Sequence, residues 1–246
     1  LPIGMFGVAV ATITLPALSR AAVGQIGREF SRLLSRGMNM VAILLLPCCV
    51  GLSMLAIPLV SVIFQKSPEA ESTRMIAGAL ECYAYGLLFY SWIKIVQPAF
   101  YAIDKRWLPM MVSIFALGLN LGFNWFFVFV MRWGHESLAL TTSISATVNF
   151  LILFCAMHKY VGDIGTRDLL GLLAKLAVAG VAMAAVCLLA QHFFFQDPGH
   201  LSWWLRAGGL MVTVGAAAAV YFVVARVLHV VEARDALAMV TRRLRR

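Results

Sequence analysis

The chain has 246 residues, of which 62% are hydrophobic and 13% charged, with a formal net charge of +9. A soluble domain holds about 45–50% apolar and about 25% charged residues, and it has no core large enough for this much apolar sequence. The excess positive charge lies between apolar blocks and at the C-terminus, with no basic stripe carrying interleaved aromatics on a polar domain, so nucleic acid is excluded as a partner.

The apolar blocks follow one another at about 20 residues each, the length a helix needs to cross a hydrocarbon core ~30 Å thick. They run Leu1–Leu18, Met38–Phe64, Met75–Ile103, Leu108–Met131, Leu138–Met157, Leu169–Phe195 and Leu201–Leu228. The expected fold is therefore all-α, a polytopic membrane helix bundle with about seven transmembrane helices, because lipid offers the backbone no hydrogen-bond partners. The chain opens inside an apolar run without a Met, and a preceding part is expected.

The connectors set the expected orientation. Arg20, Arg28, Arg32 and Arg36 follow block one, Lys105 and Arg106 follow block three, Lys159 and Arg167 follow block five, and the tail ends in Arg242, Arg243, Arg245 and Arg246. The alternate connectors hold only Lys66, Arg74, Arg132 and Arg206. The richer set is expected to face the cytoplasm, with the C-terminus on that side. The segment Arg20–Arg36, with Ile26, Phe30, Leu33 and Leu34 opposite its arginines, is expected to be an amphipathic helix on the inner leaflet, as is Val231–Arg246.

Within the blocks, Pro47, Pro58 and Pro98 each remove a backbone donor and permit a kink. Gly118 and Gly122 form a small-residue packing motif. Cys48, Cys49, Cys82, Cys155 and Cys187 lack metal-ligand spacing and read as small buried hydrophobes. No histidine pair, nucleophile elbow or phosphate loop suggests catalysis, and the expectation is a protein that is not an enzyme.

Ionisable and amide side chains inside the blocks carry the functional signal, since each is costly there unless it faces a cavity or a partner. Glu81 and Lys94 share block three, thirteen residues apart, too far to pair directly. Lys94 fits either an anion contact in a wet cavity or a lysine snorkelling to the headgroups. Asn120 and Asn124 share one face of block four, and block five carries Thr141, Thr142, Ser143, Ser145, Thr147 and Asn149. These polar faces suit either helix-to-helix bonding or a cation site of neutral oxygens.

The opening LPIGMFGVAVATITLPALSR resembles a segment of the MurJ/MviN family of lipid II flippases. Further stretches agree in order: Ser35-Arg36-Gly37 with Leu46-Pro47 and Ile57-Pro58-Leu59; Gln97-Pro98-Ala99-Phe100-Tyr101-Ala102 with Asp104 and Pro109; Asn120 with Asn124; and Ser137 through Ser145. The resemblance covers residues 1–160, and beyond that only hydropathy agrees.

It implies the last seven helices of a fourteen-helix, two-lobed flippase. Residues 1–160 would form the C-terminal lobe, and residues 161–246 the last two transmembrane helices and a basic cytoplasmic tail, with the N-terminal lobe missing. The implied location is the bacterial inner membrane and the implied partners are membrane lipids and lipid II, an undecaprenyl-pyrophosphate-linked muropeptide needed for the cell wall. Lys94, with Glu81, is this half's candidate for touching the anionic substrate. The family also implies a sodium ion, with Asn120, Asn124 and Thr142 near its place and no other cofactor. Flippases for other polyprenyl-linked glycans, multidrug or cation exporters of the same superfamily, and a non-transporting scaffold of the wall machinery stay open as alternatives.

Overall fold

The computed structural model describes residues 4, 7–24, 27–64, 71–134, 136–194 and 203–230. Among them every regular element is helical: α1 (Val8–Gly24), α2 (Arg28–Met54), α3 (Ala56–Phe64), α4 (Glu71–Ala102), α5 (Trp107–Trp125) with a π-helical turn at Phe126–Val130, α6 (Glu136–Val161), α7 (Thr166–Phe194) and α8 (Trp203–Val227). The all-α expectation holds.

Five of these helices are long and apolar enough to cross a membrane: Arg28–Met54, Trp107–Val130, Ser137–Val161, Thr166–His192 and Trp203–Val227. Of the other two expected spans, α1 has 17 residues. The other, α4, is long enough at 32 residues but mixes Glu71, Arg74, Glu81 and Lys94 into its apolar sequence. The outer surface is apolar. Ile13, Phe115, Leu121, Phe129, Val181 and Met211 are all exposed, as suits a bundle solvated by lipid. Exposed Trp107 and Trp125 sit at the two ends of α5, about 27 Å apart along its axis, near the thickness of the hydrocarbon.

α4 lies at the centre of the bundle, packed on α6, α2, α1 and α3. Trp92 on α4 ties three helices: its indole Nε1 donates to the Met38 carbonyl of α2 at 2.9 Å, and its ring lies 4.8 Å from that of Phe150 on α6. Gly86 lets α4 and α6 meet. A β-carbon there would stand 2.6 Å from the Ser143 hydroxyl and 2.8 Å from the Ser143 Cα. Ser143 in turn donates to the Cys82 carbonyl at 2.6 Å.

The two expected kinks in block two have different outcomes. Three residues before Pro58 the helix breaks at Leu55, and α3 begins at Ala56 with Pro58 in its first turn. Pro58 has no N–H to offer the Met54 carbonyl, and the side-chain amide of Gln191 on α7 donates to that carbonyl instead. Pro47 stays inside α2, and the Ile43 carbonyl that it leaves without a partner accepts from the Tyr221 hydroxyl of α8 at 3.2 Å. At the end of α3, where carbonyls lack helical partners, Trp203 Nε1 donates to Val62 at 3.0 Å. These bonds align α8 antiparallel to α2 and α3.

Several expectations are corrected. Arg20–Arg36 is not a separate surface helix: Arg20 lies within α1, and Arg28–Arg36 is the start of the same helix that continues as α2. Phe30 and Leu34 explain this, because both are fully buried in the core rather than turned to a leaflet. Ile26 and the tail 231–246 lie outside the described residues. Gly118 and Gly122 meet no atom within 4 Å and face outward, so among the described residues the close packing lies at Gly86 instead. Cys155 is exposed rather than buried, while Cys187 is fully buried.

The basic connectors share one end of the bundle. Lys105 Nζ lies 5.7 Å from the Tyr160 ring centroid, which joins the α4–α5 loop to the end of α6. Gly165, with φ +73°, brings the α6–α7 loop against Ser35 near the start of α2.

Candidate functional site

The sequence-predicted residues cluster around α4, α5 and α6. Tyr83, Tyr90, Lys94 and Tyr101 recur on α4 at steps of seven, four and seven residues, which places them on one helix face. All four are exposed. The ammonium of Lys94 lies 5.8 Å from the Tyr90 ring centroid, within the range where a cation is attracted to the ring face. Lys94 is thus a charge held at a defined place on an aromatic stripe.

Beside this stripe, between α4 and α6, runs a groove of about 350 Å³. Tyr83, Gly86, Leu87 and Tyr90 line it from α4, and Thr142, Ser143 and Ala146 from α6. Its lining is almost wholly apolar apart from the tyrosines and hydroxyls. Thr142 and Tyr90, the ring beneath Lys94, therefore border the same groove. Deeper along the stripe, Gln97 donates to the Ser113 hydroxyl of α5 at 3.1 Å.

Glu81 is placed apart from this face. It is half-buried, and thirteen residues of regular helix turn it roughly 140° from Lys94 and separate the two by about 20 Å.

Asn120, Asn124 and Thr142 do come together, with Thr141 as a fourth member. The Asn124 amide donates to Asn120 Oδ1 at 3.1 Å, the Asn120 amide reaches Thr142 Oγ1 at 3.5 Å, and the Thr141 hydroxyl meets Asn124 Oδ1. Thr141 and Thr142 also back-bond to the Leu138 carbonyl at 2.9 and 2.8 Å. The set is a closed polar clasp joining α5 to α6. In kind, its neutral oxygens suit a hard cation. In this arrangement each of the two amide oxygens already accepts a protein hydrogen bond, so a cation would have to displace the clasp. Among the described residues no three His, Cys, Asp or Glu side chains converge as a metal site.

Sequence reasoning passed over the tyrosine stripe, and it named Thr141 only as one of a polar run. The stripe was legible in the spacing of Tyr83, Tyr90 and Tyr101 around Lys94. Thr141 was visible in a polar run, but only the facing of α6 toward Asn124 singles it out.

A family model described as lipid II flippase MurJ matches residues 1–205. The "Probable lipid II flippase MurJ" of Vibrio cholerae serotype O1 is 31% identical over 232 residues, covering 93% of this chain and 43% of that protein. The "Lipid II flippase MurJ" of Burkholderia cenocepacia is 35% identical over 159 residues, covering 64% of this chain and 30% of that protein. A solved structure titled "Lipid II flippase MurJ, inward closed conformation" superposes with a TM-score of 0.62 at 18% identity, covering 96% of this chain and 45% of that one. The chain thus spans less than half the length of these relatives.

Proposed function

Because the chain belongs to the MurJ family of lipid II flippases, we propose that it forms one half of a transporter that carries lipid-linked peptidoglycan precursor across the bacterial inner membrane. The match of the family model along residues 1–205 carries this reading. The cargo would be lipid II, an undecaprenyl-pyrophosphate-linked muropeptide, and the chain would act by moving it rather than by catalysing a reaction. The second lobe would be supplied by the portion that fills the remaining length of its relatives.

The physical problem is the headgroup. A pyrophosphate with sugars cannot enter hydrocarbon without a cost of several kcal/mol or more. A two-lobed bundle that shields the head while the tail stays in lipid, and rocks between two open states, removes that cost. The Tyr83–Tyr90–Lys94–Tyr101 face supports this half's share of the work: one positive charge for the phosphates, with aromatic faces on either side for sugar rings. Glu81, on another face of α4, would act on the substrate only after a change in helix packing. α7 and α8, within residues 161–246, would border the polyprenyl tail.

The gathering of basic connectors at one end of the bundle supports a cytoplasmic C-terminus, since α8 finishes at that end. A C-terminal alkaline phosphatase fusion should be inactive, and strong activity would reverse the orientation. A sodium ion would find its donors in Asn120, Asn124 and Thr142. Sodium-dependent stabilisation, lost in Asn124→Leu, is the outcome that supports it, and equal stability in sodium and choline salts argues against it.

The central test is complementation. The full-length protein should restore growth when the host lipid II flippase is depleted, and Lys94→Ala should lower that rescue at equal membrane abundance. Failure of the unaltered protein to rescue, with restored transport of another polyprenyl-linked glycan, would shift the cargo. Full rescue by Lys94→Ala would remove Lys94 from the substrate path.

A further inference from the structure

A second cleft lies apart from the groove beside Tyr90. It holds about 940 Å³ at the basic end of the bundle, between the start of α2 and the α6–α7 loop. Its lining shares no residue with the α4–α6 groove.

Arg28, Arg32 and Arg36 stand one turn apart on one stripe of α2, spanning about 12 Å along the helix. Ser31, Ser35 and Asn39 line the cleft beside them. Gly27, the residue before α2, also lines the cleft, so the start of that helix and the positive end of its dipole border it. Arg28, Arg32 and Arg36 are exposed residues although the helix that carries them is anchored by the fully buried Phe30 and Leu34. That anchoring holds the arginines in place instead of leaving them on a loose connector.

Asp163 and Asp168 form the opposite wall, and against their two negative charges the cleft sets three arginines. Asp163 accepts from the backbone N–H groups of Gly165 at 2.9 Å and Thr166 at 3.4 Å, and Asp168 sits in the first turn of α7, where the helix dipole favours it. Among the described residues no ion pair joins Arg28 or Arg32 to either aspartate.

We propose that this cleft is a binding site for a phosphate-bearing anion, held by Arg28, Arg32 and Arg36 together with the start of α2. Planar guanidiniums match phosphate oxygens with paired hydrogen bonds, and three on one stripe suit a phosphodiester or pyrophosphate better than a carboxylate. The cleft lies at the end of the bundle where the basic connectors gather, so the phosphate can come from an anionic phospholipid headgroup or from a soluble phosphate. The proposal stands independently of the transport reading.

The test uses the purified full-length protein and follows its thermal unfolding. One arm compares nanodiscs of phosphatidylcholine with nanodiscs that also contain phosphatidylglycerol. The other titrates inorganic pyrophosphate into the protein in a neutral detergent. The expected result is stabilisation in at least one arm. The concentration needed should rise about tenfold for each arginine removed in Arg28→Gln and Arg32→Gln. Arg32→Lys should weaken binding less than Arg32→Gln, and Arg167→Gln, outside the cleft, should leave it unchanged. Stabilisation by phosphatidylglycerol alone identifies the headgroup as the source, and stabilisation by pyrophosphate in detergent identifies a soluble phosphate. Stabilisation in neither arm, or an equal loss in Arg167→Gln, overturns the proposal. A variant that fails to purify as a monodisperse species is replaced by Arg28→Lys combined with Arg32→Lys, which keeps the charge and should still lose affinity.

Discussion

The Met54 carbonyl accepts a hydrogen bond from the side chain of Gln191, a partner 137 residues away in the chain. The bond exists because Pro58, four residues beyond Met54, has no N–H to give. The same relation recurs one helix segment earlier, where Tyr221 serves the Ile43 carbonyl that Pro47 leaves open. The two C-terminal helices thus satisfy the backbone at both proline positions of the second apolar block, and the Leu55 break is held by tertiary contacts.

This relation predicts a specific coupling. Gln191→Leu should destabilise the protein by about 0.5–1.5 kcal/mol, the range for a side-chain bond inside a membrane protein. Pro58→Ala restores an N–H in line with Met54, so the loss from Gln191→Leu should be smaller in that background. Unfolding in mixed micelles across the four combinations measures the coupling. Strict additivity would mean that Gln191 does not serve the carbonyl released by Pro58. Tyr221→Phe with Pro47→Ala forms a parallel cycle.

Gly86 should tolerate no side chain. A β-carbon there stands 2.8 Å from the Cα of Ser143, which cannot swing away as a side-chain tip can. Gly86→Val should cost about 1–3 kcal/mol or more by forcing α4 and α6 apart. Gly118→Ala and Gly122→Ala, which meet open space, should be neutral or should stabilise by up to about 1 kcal/mol through helix propensity. If Gly118→Ala proves the more damaging change in thermal unfolding, the outward face of α5 packs on something outside the described structure.

The clasp of Asn120, Asn124, Thr141 and Thr142 should behave as one unit. Asn124→Leu removes the member that bonds both Asn120 and Thr141, and is expected to cost about 1–2 kcal/mol. Asn120→Leu added to it should cost much less than alone, because its amide partner is already gone. A double-mutant cycle with a coupling near zero would dissolve the clasp into independent polar residues.

Tyr90 should hold Lys94 by its ring face. Tyr90→Phe keeps the face, and rescue of a flippase-depleted strain should stay near that of the unaltered protein. Tyr90→Leu loses the face, and rescue should fall toward that of Lys94→Ala. Equal rescue by the Phe and Leu variants would show that the ring contact has no role in transport.

Much of this protein was legible in order along its chain. The apolar block length dictates helices, because a backbone in lipid must bond to itself. The polar residues inside those blocks, Lys94, Asn120, Asn124 and Thr142, mark the groove and the clasp because polar groups are too costly to leave in lipid without a purpose. Helical spacing alone carries the tyrosine stripe around Lys94.

Facing and depth were decided only by the fold. Periodicity gives Phe30 and Leu34 the same apolar face whether they meet a leaflet or a core, so only packing shows that the arginine segment is the start of α2. A GxxxG pattern cannot say which way it points, and the intimate contact fell to Gly86 because Ser143 happens to lie opposite. A proline announces a missing donor, but the side chain that answers it sits on a helix more than a hundred residues away. Sequence spacing reports which residues share one helix face, and only tertiary structure reports what that face meets.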